Sequence, residues 1–130
     1  MLRRNILVLS VAVSLTLIAG CHTTQIRDPI QSPVATTNPP TMESIQKAII
    51  SAGNELGWRM LPTGPGVITG TFEFKTKHAA VITITYDTKT YTIKYQDSTD
   101  LHYDGTNIHR VYNGWVTSLD RAIRTQLASI

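Results

Sequence analysis

Val67–Tyr95, VITGTFEFKTKHAAVITITYDTKTYTIKY, is the stretch that decides the fold. Its apolar residues alternate with threonines and charges in three runs separated by short polar breaks. In the first run Ile68, Phe72 and Phe74 fall on one face, and Thr69, Thr71 and Glu73 on the other. In the second, Ala80, Ile82, Ile84 and Tyr86 oppose Thr83 and Thr85; in the third, Tyr91, Ile93 and Tyr95 oppose Thr92 and Lys94. Successive side chains of an extended chain point to opposite faces, so a period of two predicts three strands. Thr76-Lys77-His78 and Asp87-Thr88-Lys89-Thr90 are short enough for hairpin connections, which makes the strands an antiparallel meander. A sheet with one apolar and one Thr-rich face needs cover on one side only.

The flanking segments supply that cover. Met42, Ile45, Ile49, Ala52 and Leu56 recur at three- and four-residue spacing, which gathers them on one face of a helix. Thr41 is placed to cap its start, and Gly57 to end it in a left-handed conformation with Trp58 folding back. Gly53 costs such a helix about 1 kcal/mol relative to Ala, a sacrifice that suits close packing by a neighbour. Pro62, Gly64, Pro65 and Gly66 then break the chain before the first strand. Beyond the meander, Ile108, Tyr112, Trp115, Leu119, Ala122, Ile123 and Leu127 form a second helical stripe, with Asn107 as its expected cap. The expected fold class is therefore α+β: a two-layer α-β-β-β-α sandwich over 41–130, a three-stranded antiparallel meander covered on one face by two helices.

Upstream, residues 21–40 contain four of the six prolines, many threonines and no apolar periodicity. Such a composition predicts a flexible tether. Residues 1–20 read as a processing signal. Arg3 and Arg4 are the only charges before the apolar run Ile6–Ala19. Fourteen helical residues would reach about 21 Å, short of the ~30 Å hydrocarbon core, which fits a cleaved signal better than a span. Leu17-Ile18-Ala19-Gly20-Cys21 resembles the lipobox of bacterial lipoproteins. That resemblance implies cleavage between Gly20 and Cys21 and lipidation, with palmitate among the acyl chains, of Cys21. His22 rather than Asp in second place implies release to the outer membrane, facing the periplasm. The lipobox also accounts for the only cysteine in the chain.

Removing Arg3 and Arg4 leaves 10 of 12 Lys and Arg against 9 Asp and Glu, so the basic balance belongs largely to the signal. A nucleic-acid partner, which would need a basic patch on the folded part, is not expected. The four histidines, His22, His78, His102 and His109, lack the i, i+4 helical spacing of zinc hydrolases, so no metal or cofactor is expected. The polar stretch Tyr95–Asp104 places Ser98, Asp97 and His102 close in sequence, but triads converge from distant segments and no G-x-S-x-G elbow is present. Asp97 and Ser98 read first as a turn. Across His78–Trp115 the pattern H-A-A-V-x-I-x-Y-D, Y-x-I-x-Y-x-D-S, L-x-Y and I-H-x-x-Y-N-x-W-V resembles small uncharacterised proteobacterial lipoproteins. The resemblance implies an envelope location and carries over no catalytic residue. In that pattern Asp97, Ser98, His109, Tyr112, Asn113 and Trp115 are candidate binding residues. The expected function is a membrane-anchored, non-enzymatic envelope module that binds a protein or cell-wall partner. The alternative is a small-ligand binder or hydrolase built on the 97–109 region.

Overall fold

The computed structural model describes residues 22–130; the signal segment, the cleavage position and Cys21 lie outside the described residues. The order is β1 (Thr23–Gln25), β2 (Ile30–Pro33), α1 (Met42–Glu55), β3 (Arg59–Gly64), β4 (Val67–Phe74), β5 (His78–Tyr86), β6 (Thr90–Thr99), β7 (Asn107–His109) and α2 (Arg110–Ala128). This is an α+β fold with two helices, a five-stranded antiparallel sheet ordered β2-β6-β5-β4-β3, and a small β1–β7 ribbon.

The meander forms as the alternation requires. Ile68 pairs with Ile84 and Ile84 with Ile93, while Thr69 pairs with Thr83 and Thr83 with Lys94. The isoleucine rows are buried in one cluster with Ile45, Ile49 and Ala52 of α1 and Val116, Leu119 and Ile123 of α2. The sheet is wider than three strands. β3 runs through the expected breaker Pro62, which an edge strand tolerates because one side of it needs no ladder donor. Gly66, at φ +67°, makes the following turn, and a Cβ there would stand 2.8 Å from the carbonyl oxygen of Tyr86.

Both helices form where the stripes place them. Thr41 caps α1 through a reciprocal pair with Ser44. The Trp58 amide returns to the Gly53 carbonyl at 2.9 Å and buries its indole. Gly53 lies directly under the Met60 side chain, leaving no room for a Cβ. The ends of the first stripe, Met42 and Leu56, remain exposed. Asn107 does not cap α2. It pairs with Gln25 in β7, and His109 takes the cap instead.

The tether expected over 21–40 is replaced, from His22 onward, by an ordered strap. Arg110 N–H donates to the His22 carbonyl, Ile26 N–H to that of Thr106, and Tyr95 N–H to Asp28 Oδ1 at 2.6 Å. The Asp28–Pro29 peptide is cis. β2 then pairs with β6, Val34 N–H reaches the Lys89 carbonyl, and Thr37 and Asn38 close onto Ile130. Ile26, Ile30 and Val34 pack against the core. The strap is held by partners far along the chain, which composition does not reveal. Asp97 and Ser98 likewise lie in β6 rather than in a turn: the register slips at Gln96, which leaves that residue as a bulge.

Candidate functional site

The described surface offers three polar clusters, and only the first two hold any of the candidate residues. The first gathers histidines from distant segments. His109 and His22 rings lie 6.2 Å apart and nearly parallel, and His78 lies 6.2 Å from His109 on another side. His102 follows Leu101, whose carbonyl accepts the His109 amide at 2.7 Å. β1–β7 pairing sets Thr23 opposite His109, which brings His22 alongside; the β4–β5 turn presents His78. Val111 N–H donates to His109 Nδ1 at 3.2 Å, so the neutral ring carries its proton on Nε2. His78 Nδ1 faces the Asp100 carbonyl at 3.0 Å and must be the donor, which leaves its Nε2 lone pair free. Among the described residues, no three His, Cys, Asp or Glu side chains converge closely enough to hold a metal ion.

Burial, and then the like charges of His22, His78, Arg110 and His102, push the His109 pKa below its ordinary value. The unfolded chain therefore binds the proton more readily than the fold. This contribution to stability is complete above the unfolded pKa near 6.5 and is lost as pH falls through the lower folded value. A protonated ring also cannot accept the Val111 amide. Replacing His109 with Ala should cost about 1 kcal/mol of cap energy and flatten the stability profile between pH 7.5 and 5.5. Urea midpoints at the two pH values check both parts; an unchanged slope in His109→Ala would count against the assignment.

The second cluster is an open polar cavity of about 420 Å³ lined by Tyr95, Asp97, Ser98, Asp100, Leu101, His102 and Tyr103. Tyr95 and Ser98 hydroxyls are hydrogen-bonded at 2.7 Å, and the Tyr95 ring stacks on Tyr103 at 4.1 Å. Asp100 and His102 both hold positive φ, +55° and +53°, around the buried Leu101. The expected binding residues His109, Tyr112, Asn113 and Trp115 lie apart from this cavity. Tyr112 is core, its hydroxyl pKa raised by burial and then by the Asp28 charge. Asn113 holds the strap, accepting from Arg27 N–H at 2.8 Å and donating to the Gln25 carbonyl at 2.9 Å. Trp115 meets Phe72 edge-on at 4.9 Å and reaches Phe74 at 6.3 Å, forming with Leu56, Trp58 and Ser118 an apolar cleft of about 200 Å³.

The third cluster was not expected. Asp120 Oδ1 accepts from the Tyr91 hydroxyl at 2.6 Å and from Ser32 at 2.7 Å, while Arg124 Nε pairs with Oδ2 at 3.1 Å. Burial and the Asp120 hydrogen bond raise the Tyr91 pKa. Ser32, Asp120 and Arg124, with Arg27, Thr117 and Gln31, line a groove of about 470 Å³, and Tyr91 is buried behind them. The i, i+4 spacing of Asp120 and Arg124 on α2 was the one sequence signal; nothing local marks Ser32 as their partner.

No family model matches the chain, and no curated protein and no solved structure matches it either.

Proposed function

We propose that the protein is a lipoprotein of the bacterial envelope, anchored through lipid on Cys21 at the periplasmic face of the outer membrane. Its domain serves as a non-enzymatic module that docks a protein or cell-wall partner. The observation that carries the docking part is the open face of the sheet. Both helices join the core on the other face, so the rows Leu61-Thr69-Thr83-Lys94 and Arg59-Thr71-Val81-Asp97 stand uncovered across four strands. At the free β3 edge Leu61 is 56% exposed, beside a backbone able to accept a further strand. Threonine hydroxyls on a regular pleat add donors and acceptors at fixed spacing.

Two measurements test the reading. Cys21→Ser should incorporate no labelled palmitate and stay unprocessed; normal labelling overturns the anchor. A photo-crosslinker at Thr83 in the acylated protein should capture one envelope component, and Leu61→Glu should reduce that capture at least fivefold. Capture no greater than that of a lipid-anchored control removes the docking surface.

A second reading, a small-ligand binder on the 97–109 region, is favoured by the polar cavity and the paired left-handed residues Asp100 and His102. His109 is not among the residues lining that cavity. Ligand binding lost in Asp97→Asn and Ser98→Ala, but kept in Leu61→Glu, would select it.

A further inference from the structure

The ordered strap changes what a lipid on Cys21 would do. His22 is already fastened to Arg110, and adjacent Cα atoms are about 3.8 Å apart. A lipid on Cys21 would therefore be one residue from His22, which is itself bound at the N-terminus of α2. That end carries His22, His78, His102 and His109 together with Arg110 and, in the adjoining β4–β5 turn, Lys75 and Lys77. It also exposes Phe74, 43% accessible, with Lys75 Nζ 5.3 Å above its ring and Trp115 beside it. Basic and aromatic side chains around an acyl anchor are the chemistry of a headgroup contact.

We propose that this end of the domain lies against the membrane and engages anionic lipid headgroups in a proton-dependent contact. The proposal rests on the reading of Cys21 as the lipid attachment. The fixed cations Lys75, Lys77 and Arg110 are offset by Glu73 on β4, Asp97 on β6, and Asp100 and Asp104 in the loop before β7. No ion pair among the described residues joins these groups; the two present are Lys47–Glu43 and Arg124–Asp120. The sign of the surface is thus set by the four imidazoles. They come from β1's entry, β5, the loop before β7 and β7 itself, so protonation of any of them adds charge to one patch. Histidine is the side chain that gains charge between neutral and mildly acidic solution, so acidification makes the patch more cationic, while burial and the neighbouring like charges delay that gain at His109. An anionic surface lowers local pH and stabilises the imidazolium forms, reinforcing the contact.

The test uses the acylated mature protein in vesicles. With Cys21 blocked by lipid, Thr76→Cys in the β4–β5 turn and Thr88→Cys at the opposite end of the β5 hairpin each give a single reactive thiol for a fluorophore. Headgroup spin-labelled lipid is the quencher, in phosphatidylethanolamine with a quarter phosphatidylglycerol, or in phosphatidylcholine alone. The expected result is quenching at position 76 but not 88, rising at least twofold from pH 7.5 to 5.5 only with phosphatidylglycerol. The rise should vanish in the variant combining His22→Gln, His78→Gln and His102→Gln, which keeps the His109 cap. Equal quenching at the two positions overturns the orientation. A pH rise that is the same in phosphatidylcholine, or that survives the triple variant, overturns the electrostatic contact. Protein that carries no acyl chain and does not sediment with vesicles overturns the anchor itself, and the proposal with it.

Discussion

Asp120→Ala should destabilise the protein by about 3 kcal/mol, with the urea midpoint falling and the slope unchanged. Asp120 is 14% exposed and accepts from two groups that have little water to turn to, the Tyr91 hydroxyl and Ser32, itself 2% exposed. Removing the carboxylate leaves both donors in the interior, and each such orphan costs about 1–3 kcal/mol. Tyr91 retains a longer contact of 3.3 Å to the backbone carbonyl at position 120, and Arg124 returns to solvent, which keeps the total in the lower half of the sum for two such orphans. Asp120→Asn keeps an acceptor oxygen and should lose only about 1 kcal/mol. Tyr91→Phe removes a donor rather than stranding one, and should also lose about 1 kcal/mol. An Asp120→Ala variant within 0.5 kcal/mol of the native protein would show that the network is not held in solution.

The amides of Ile26 and Val34 on the strap, and the Tyr95 amide that meets it, should exchange with solvent a hundredfold or more slower than in an unstructured chain. Each donates across the junction between the strap and the rest of the domain, to Thr106, Lys89 and Asp28 respectively. A flexible tether would show no such protection. Asp28→Ala should cost about 2 kcal/mol, because it strands the Tyr95 amide beside the Tyr95–Tyr112 contact. It should also speed exchange at Ile26 more than at Ile84, since the strap opens without the meander. Uniform acceleration across the sheet would mean that strap and sheet open only together.

These two results also mark the boundary of what was legible beforehand. The meander, its inward isoleucines and its Thr-rich outer face were readable because alternation is a local property of each strand. The two stripes and the Thr41, Gly57 and Trp58 features around α1 were readable for the same reason. Gly53 was readable as a site of close approach, although only the fold names Met60 as the neighbour. The candidate site fared less evenly. Asp97 and Ser98 do line a cavity, yet Tyr112 is core, Asn113 is a clamp on the strap, and Trp115 belongs to a separate cleft. Their nearness in sequence spans a bulged strand, a loop, a short ribbon and a helix start, and each of those turns the chain a different way.

By itself, then, the amino-acid sequence determined the α+β class, the three central strands, both helices and the side of the sheet left open. Those follow from periodicities that any chain of such residues must satisfy to bury its apolar side chains. Only the tertiary structure decided the course of residues 22–40, the meeting of four histidines, and the pairing of Ser32 and Tyr91 with Asp120. Each of these depends on groups far apart in the chain, such as Ser32 and Asp120, 88 residues apart. No local composition or period encodes such a meeting; it depends on where the sheet edge and the helix lie relative to the strap.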